Sequence, residues 1–297
     1  ADRSAGADVR PYVVAWLERF LPPAVAQVLA PTWFTMVGVA GLLTLLVLLR
    51  RARADGVDRG SVATVVLSAY LAAVVGGVTI PALIALVERS LDGQPLRLRA
   101  VGMTSFWGYL AGTVAAVEAC RRTRLSLGWL GDRMTPMLGV SLALIRTGCF
   151  LAGCDHGMIT GAAWAVRFPA GSPAWRDHVE RGLVPVTRDV SLPVHPTQLY
   201  EALLGVAIAI VAAVITRRRE RVGHGRVFLG AALAYCAVRL AIENLRGDRV
   251  RGFVLGMSSG QVFALAVLFA VPLVWLARRG APRVARPAGD AVLRRVL

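Results

Sequence analysis

Arg239 and Glu243 stand four residues apart in YCAVRLAIENLRGD, a spacing that puts a guanidinium and a carboxylate on one helix face. Arg146 lies in LIRTGCFLAGCDHG, and His195, Gln198, Tyr200 and Glu201 lie in HPTQLYEA. Each stretch sits at the end of a long apolar run. Inside hydrocarbon a charged side chain is costly, so such residues are paired, line a cavity or take part in chemistry. Planar guanidinium groups hold a phosphate by bidentate hydrogen bonds, and the ordinary pKa of histidine suits general base work. Together these residue types can grip an anionic lipid headgroup and accept a proton beside it. Blander roles stand next to that reading: an intrahelical ion pair for Arg239 and Glu243, snorkelling to the headgroups for Arg146, and a helix start for His195 and Pro196.

The cysteines leave more open. Four in 297 residues do not make a disulfide framework. Cys120 and Cys236 fall in or near apolar runs and read as small packing residues. Cys149 and Cys154 have three readings. They form a disulfide in an oxidising compartment, provided the helix ends or kinks between them; they are two packing residues; or they are a working pair with a thiolate activated by His156 and Arg146. The spacing of Cys149, Cys154 and His156 matches no common zinc pattern, so no metal and no cofactor is expected.

What must position these residues is a set of membrane helices. The chain is 56% hydrophobic with a mean hydropathy of +0.59, too apolar for an ordinary soluble domain. Uncharged runs at 35–49, 60–87, 100–117, 202–216, 227–238 and 252–277 fit or approach the roughly 20 residues of a transmembrane helix. A further run starts at Met134 and continues through Arg146 to about residue 152. The expectation is an all-α polytopic membrane protein of seven spans.

The net charge of +16 comes from arginine alone, since lysine is absent. Its clusters, Arg50, Arg51 and Arg53; Arg121, Arg122 and Arg124; Arg217, Arg218, Arg219 and Arg221; Arg278 and Arg279, follow the first, third, fifth and seventh runs. That is the pattern of cytoplasmic loops beside acidic lipid headgroups, not of a nucleic-acid surface. Placing all four inside puts the N-terminus outside and the C-terminus in the cytoplasm. Residues 1–30 then read as an amphipathic interfacial segment with Tyr12 and Trp16 as anchors. Residues 31–279 form the membrane domain, 154–195 a small extracytoplasmic head within it, and 280–297 a cytoplasmic Arg-rich tail. No cleavable signal peptide is evident in the opening ADRSAGADVR.

At this level of detail the chain resembles the prolipoprotein diacylglyceryl transferase family. The resemblance rests on four stretches in order: Arg146-Thr147-Gly148-Cys149-Phe150-Leu151-Ala152-Gly153, Phe168-Pro169-Ala170-Gly171-Ser172, His195 to Glu201, and Arg239 to Glu243. Gly102-Met103-Thr104-Ser105-Phe106-Trp107-Gly108 is similar to a fifth. The resemblance implies seven helices with the N-terminus outside and a site open to the outer leaflet of a bacterial inner membrane. It implies phosphatidylglycerol as donor and transfer of its diacylglyceryl group to a lipoprotein cysteine thiol. Arg146 and Arg239 would hold the glycerol phosphate, Glu243 would orient Arg239, and Gly157 would allow close approach of lipid or backbone. Gln198, Tyr200, Glu201 and Arg246 would line the donor site. His156 or His195 would accept the proton.

The departures from the family pattern cluster at the same place. Trp107 stands where the family has His, Phe34 where it has Tyr, and Cys149 and Cys154 where it has Asn and Glu. Trp donates one hydrogen bond and accepts no proton. The alternative function is therefore a family member that has lost the transfer and acts as a thiol-redox or phospholipid-binding membrane protein.

Overall fold

The computed structural model of the chain describes residues 17–23, 33–91, 105–218, 222–248, 253–254, 257–258 and 260–269. Among these, helices account for nearly all regular structure: α1 (Trp33–Asp55), α2 (Arg59–Leu91), α3 (Ser105–Thr123), α4 (Leu127–Ala152), α5 (Pro173–Glu180), α6 (Thr197–Thr216), α7 (Arg226–Glu243) and α8 (Gly260–Phe269). Two short strands, Phe253–Val254 and Met257–Ser258, pair antiparallel. The first helix, α2, α4 and α6 are long and apolar enough to cross a membrane. Leu46, Leu71, Leu83, Val114, Leu203 and Ile210 are exposed along the helices, an apolar surface that suits lipid contact. Tyr12, Trp16 and the expected tail 280–297 lie outside the described residues.

The hub is α4, which packs against α1, α6 and α7, while α2 and α3 pair with each other. Small residues let these backbones approach, as membrane helices require when no hydrophobic force drives them together. A Cβ on Gly139 would come within 2.6 Å of Gly205 O, and one on Gly205 within 2.7 Å of Gly139 O. Those two glycines therefore fix how closely α4 and α6 cross.

One end of the bundle is tied by buried polar groups that hydropathy alone cuts out of the span. Charge at Asp132 and Arg133 places the start of the fourth run at Met134, but the helix begins about two turns earlier, at Leu127. Both side chains are buried because both are fully partnered. The carboxylate of Asp132 accepts from the backbone N–H groups of Gly223, Gly225, Val227 and Phe228, which satisfies the donors at the start of α7. Arg133 grips Asp55 at 2.6 and 2.8 Å and donates to Thr216 O at 2.5 Å, joining the ends of α1 and α6. Trp129 Nε1 donates to the same Asp55 carboxylate at 3.0 Å.

At the other end, residues 154–195 fold as a head around Phe168, Ala174 and Val194, with Phe150 of α4 edge-on to Phe168 at 5.7 Å. The Phe-Pro-Ala-Gly-Ser stretch makes its turn: Gly171 takes a φ of +83°, and Ser172 caps α5 by accepting from Trp175 N. Pro173 opens that helix at its first position.

Replacing Asp132 with Asn puts an amide donor against four backbone donors. The expected loss is about 2 kcal/mol or more of stability, read as a lower unfolding temperature in detergent, with Asp132→Glu falling between the two.

Candidate active site

Glu201, 1% exposed on the first turns of α6, is approached by three guanidinium groups. Arg146 Nε from α4 stands at 2.6 Å, Arg239 Nε from α7 at 3.7 Å, and Arg246 NH1 from the turn after α7 at 3.9 Å. Glu243 pairs with Arg239 from one helical turn away. Arg146 and Arg239 keep 18% and 12% of their side chains exposed, so the pair opens to the surroundings on one side. Tyr109 of α3 and Tyr235 of α7 lie within electrostatic reach of Arg146 and Glu201.

A second carboxylate, absent from the sequence expectations, completes the cluster. Asp155 sits between Arg246, at 2.6 Å, and Arg146, at 3.5 Å. Its φ of 57° is a left-handed conformation rare outside glycine but tolerated by Asp. Two motif residues clasp that turn from α6: Thr197 Oγ1 donates to Asp155 O at 2.7 Å, and Gln198 Nε2 donates to Cys154 O at 2.5 Å. Burial pushes the Asp155 carboxyl up, but Arg246 and Arg146 beside it hold it well below the usual carboxylate range. Arg246 is itself fixed on Asp248 at 2.7 Å.

Gly157 allows a close approach of backbone. A Cβ on Gly157 would meet His195 O at 2.5 Å and Leu245 O at 2.9 Å. Gly157 N donates to His195 O, Met158 N to Leu245 O and Gly247 N to His156 O. This ladder docks the head against the turn that carries Arg246.

The two histidines expected as bases are not brought to the guanidinium cluster. His156, 2% exposed, holds its Nδ1 3.0 Å from Gly157 O and stacks edge-on to His178 at 5.6 Å, with Asp177 3.8 Å from Nε2. His195 Nδ1 lies 3.1 Å from the hydroxyl of Tyr200, which accepts from Trp164 Nε1 at 2.8 Å. The partners of both rings thus belong to the head and its junction with α6. Trp107 is half-buried on α3, its carbonyl against Gly76 of α2.

The thiols are free. Cys149 is buried in α4, and Cys154 is half-buried, with Sγ 3.3 Å from Asp155 Oδ2. Cys120 and Cys236 are buried, as packing residues are.

The chain matches the model of the prolipoprotein diacylglyceryl transferase family over residues 24–277. It is similar to proteins named phosphatidylglycerol–prolipoprotein diacylglyceryl transferase. The one from Rhodococcus jostii is 34% identical over 182 residues, 59% of this chain and 48% of that protein. The one from Proteus mirabilis is 30% identical over 263 residues, 83% of this chain and 88% of its own length. The one from Geobacter sulfurreducens is 28% identical over 260 residues, 86% and 91% respectively. The chain thus spans about half the length of the first relative and most of the other two.

Glu201→Ala leaves three guanidinium groups facing one another with one shared acid gone. The expected cost is about 3–5 kcal/mol, measured as detergent unfolding, with Glu201→Asp retaining part of it. In the head, burial and the neighbouring His156 lower the His178 imidazole to about 4. Leu192 N donates to its Nδ1, which requires that nitrogen to be unprotonated. Between its ordinary value near 6.5 and about 4 the unfolded chain takes up a proton that the folded head refuses. Head stability, followed by Trp175 fluorescence, therefore falls as pH drops through that window, and His178→Gln flattens the dependence.

Proposed function

The chain belongs to the prolipoprotein diacylglyceryl transferase family, and from that premise we propose that it moves a diacylglyceryl group from phosphatidylglycerol to a cysteine thiol of a lipoprotein precursor. One observation carries the reading. Guanidinium groups from two separate helices and a following turn meet on Glu201 at one end of the bundle, partly open to the surroundings. Arg146 and Arg239 remain partly exposed at that meeting point, so guanidinium N–H groups are left to reach an anionic ligand.

In this reading Arg146 and Arg239 bind the phosphate of the donor, exchanging ion-pair contacts with carboxylate oxygens for bidentate hydrogen bonds to phosphate oxygens. Glu201, Glu243 and Asp155 hold the guanidinium planes in place before the lipid arrives, so little side-chain order is lost on binding. Arg246 fixes Asp155 and adds positive charge near the leaving group. The acceptor sulfur, as thiolate, attacks the glyceryl C3 carbon; the C3–O bond breaks and glycerol phosphate departs with its negative charge among the guanidinium groups. Gln198, Tyr200, Gly157, His156 and His195 serve by shaping the turn and the head rather than by touching the phosphate. Trp107, Cys149 and Cys154 line the same end.

The chain sits in a bacterial inner membrane with seven spans, N-terminus outside and C-terminus cytoplasmic. The arginine-rich ends then face the cytoplasm, and the head, with the site beneath it, faces out. The alternative of a member that has lost the reaction is not favoured, because relatives covering most of the chain carry the transferase name.

The test is transfer from labelled phosphatidylglycerol to a lipobox peptide by the purified full chain. Arg146→Lys and Arg239→Lys, which keep a positive charge beside Glu201 but not the planar fork, are each expected to lower the rate at least about a hundredfold while the unfolding profile persists. Full rates in both variants would overturn the assignment of the phosphate to these side chains.

A further inference from the structure

The end of α4 brings together three groups whose chemistry the phosphate site does not use. Gly153 closes the helix with a φ of +70°, its N–H bonding to Phe150 O, while the N–H of Cys154 returns to Cys149 O. In that helix-stop geometry the residue after the glycine is folded back against the residue five positions earlier. The side chains that meet there are Cys154 and Cys149. The left-handed turn at Asp155 swings its carboxylate to the same point. The two Sγ atoms and a carboxylate oxygen of Asp155 all lie within 4.8 Å of one another, with Cys154 Sγ to Asp155 Oδ2 at 3.3 Å. Ligands of a tetrahedral zinc ion stand about 3.5 Å apart, given bonds of about 2.0–2.3 Å.

We propose that Cys149, Cys154 and Asp155 bind a zinc ion whose fourth position takes the acceptor thiol, a role that rests on the transferase reading above. Binding replaces two S–H protons, released to solvent, by two Zn–S bonds, and the carboxylate supplies the third ligand. Two thiolates are the donors that soft divalent cations prefer. Three protein ligands with one position open is the arrangement of catalytic zinc. Cys149 is buried, but Cys154 is half-buried and Asp155 keeps 29% of its side chain exposed, which leaves a path to the open position. The charge around the site does not repel a cation. The guanidinium groups of Arg146, Arg239 and Arg246 are balanced by the carboxylates of Glu201, Glu243 and Asp248, and the ligand set adds the negative charge of Asp155 and two thiolates.

The chemistry meets a need created by this chain's own substitutions. Neither His156 nor His195 contacts the guanidinium cluster, and Trp107 accepts no proton. A thiol coordinated to zinc loses its proton at neutral pH without a side-chain base. The acceptor R–SH binds as R–S–Zn with release of one proton to water. Its sulfur then forms the bond to the glyceryl C3 carbon as the C3–O bond breaks, and the neutral thioether leaves the metal. Sequence spacing does not show this site, because only the reversal of the chain at Gly153 brings the two cysteines to one point.

The full-length protein, purified under reducing conditions, is to be assayed for metal content and then loaded with Co2+ as a spectroscopic probe. Equimolar zinc is expected, together with a thiolate-to-cobalt charge-transfer band. Both should be lost in Cys149→Ser and Cys154→Ser and kept in Cys120→Ala. Asp155→Asn should weaken binding at least about tenfold. A peptide with the lipobox cysteine should shift the cobalt spectrum, and the same peptide with serine should not. Reduced thiols with no stoichiometric metal, or Cys149 and Cys154 joined as a disulfide in the active protein, would overturn the proposal. So would transfer that survives full removal of zinc. Because metal content and the cobalt spectrum are read without turnover, failure to transfer lipid at all would count against the proposed function and not against the ion site.

Discussion

The whole site depends on one buried carboxylate. Arg146, Arg239 and Arg246 come from α4, α7 and the turn after it, and in a medium of low dielectric their mutual repulsion would drive them apart. Glu201 is the group they share. Because it stands at the opening turn of α6, its position ties the start of that helix to the ends of two others. Glu243 then pairs with Arg239 and Asp248 with Arg246, while Asp155 is shared between Arg246 and Arg146. Such an arrangement is organised in advance and remains able to trade a carboxylate for a phosphate oxygen.

The opposite end of the bundle solves a different problem with similar parts. Asp132 and Arg133 are adjacent, buried and spent entirely on structure, one capping α7 and the other joining α1 to α6. Their polar atoms are saturated by backbone and by Asp55. The guanidinium cluster, in contrast, keeps some exposure and pairs by charge more than by aligned hydrogen bonds: Arg146 Nε, Glu201 Oε2 and Arg239 NH1 make ion-pair contacts without hydrogen-bond geometry. That contrast separates a structural polar knot from the site proposed to take the phosphate.

Much of this was legible in the chain. The apolar runs marked the helices, and the ends of α4, α6 and α7 were marked as the place where charge is costly and therefore useful. Arg146, Arg239, Glu243, Glu201 and Arg246 do come together. What escaped was set by backbone turns that carry no periodic signal. Asp155 was hidden because the carboxylate sits one residue past the family's Glu position, and only a left-handed turn there aims it at Arg246. His156 looked like a base by adjacency in sequence, yet the same turn sends its ring into the head to stack on His178. Tyr235 was within reach of sequence reasoning, since it lies one helical turn before Arg239 on the same face. The start of α4 was misjudged because hydropathy treats Asp132 and Arg133 as exposed charges, and their partners come from residues 55 and 216–228.

The reversal at Gly153 carries a consequence for how such a protein diverges. Its two contact positions are set by main-chain hydrogen bonds and a glycine, not by the side chains placed there. The residues at 149 and 154 can therefore change while their proximity is inherited and the scaffold stays undisturbed. A helix terminus of this kind behaves as an interchangeable socket, in which new reactivity can be tried at the heart of an enzyme without first inventing a new shape.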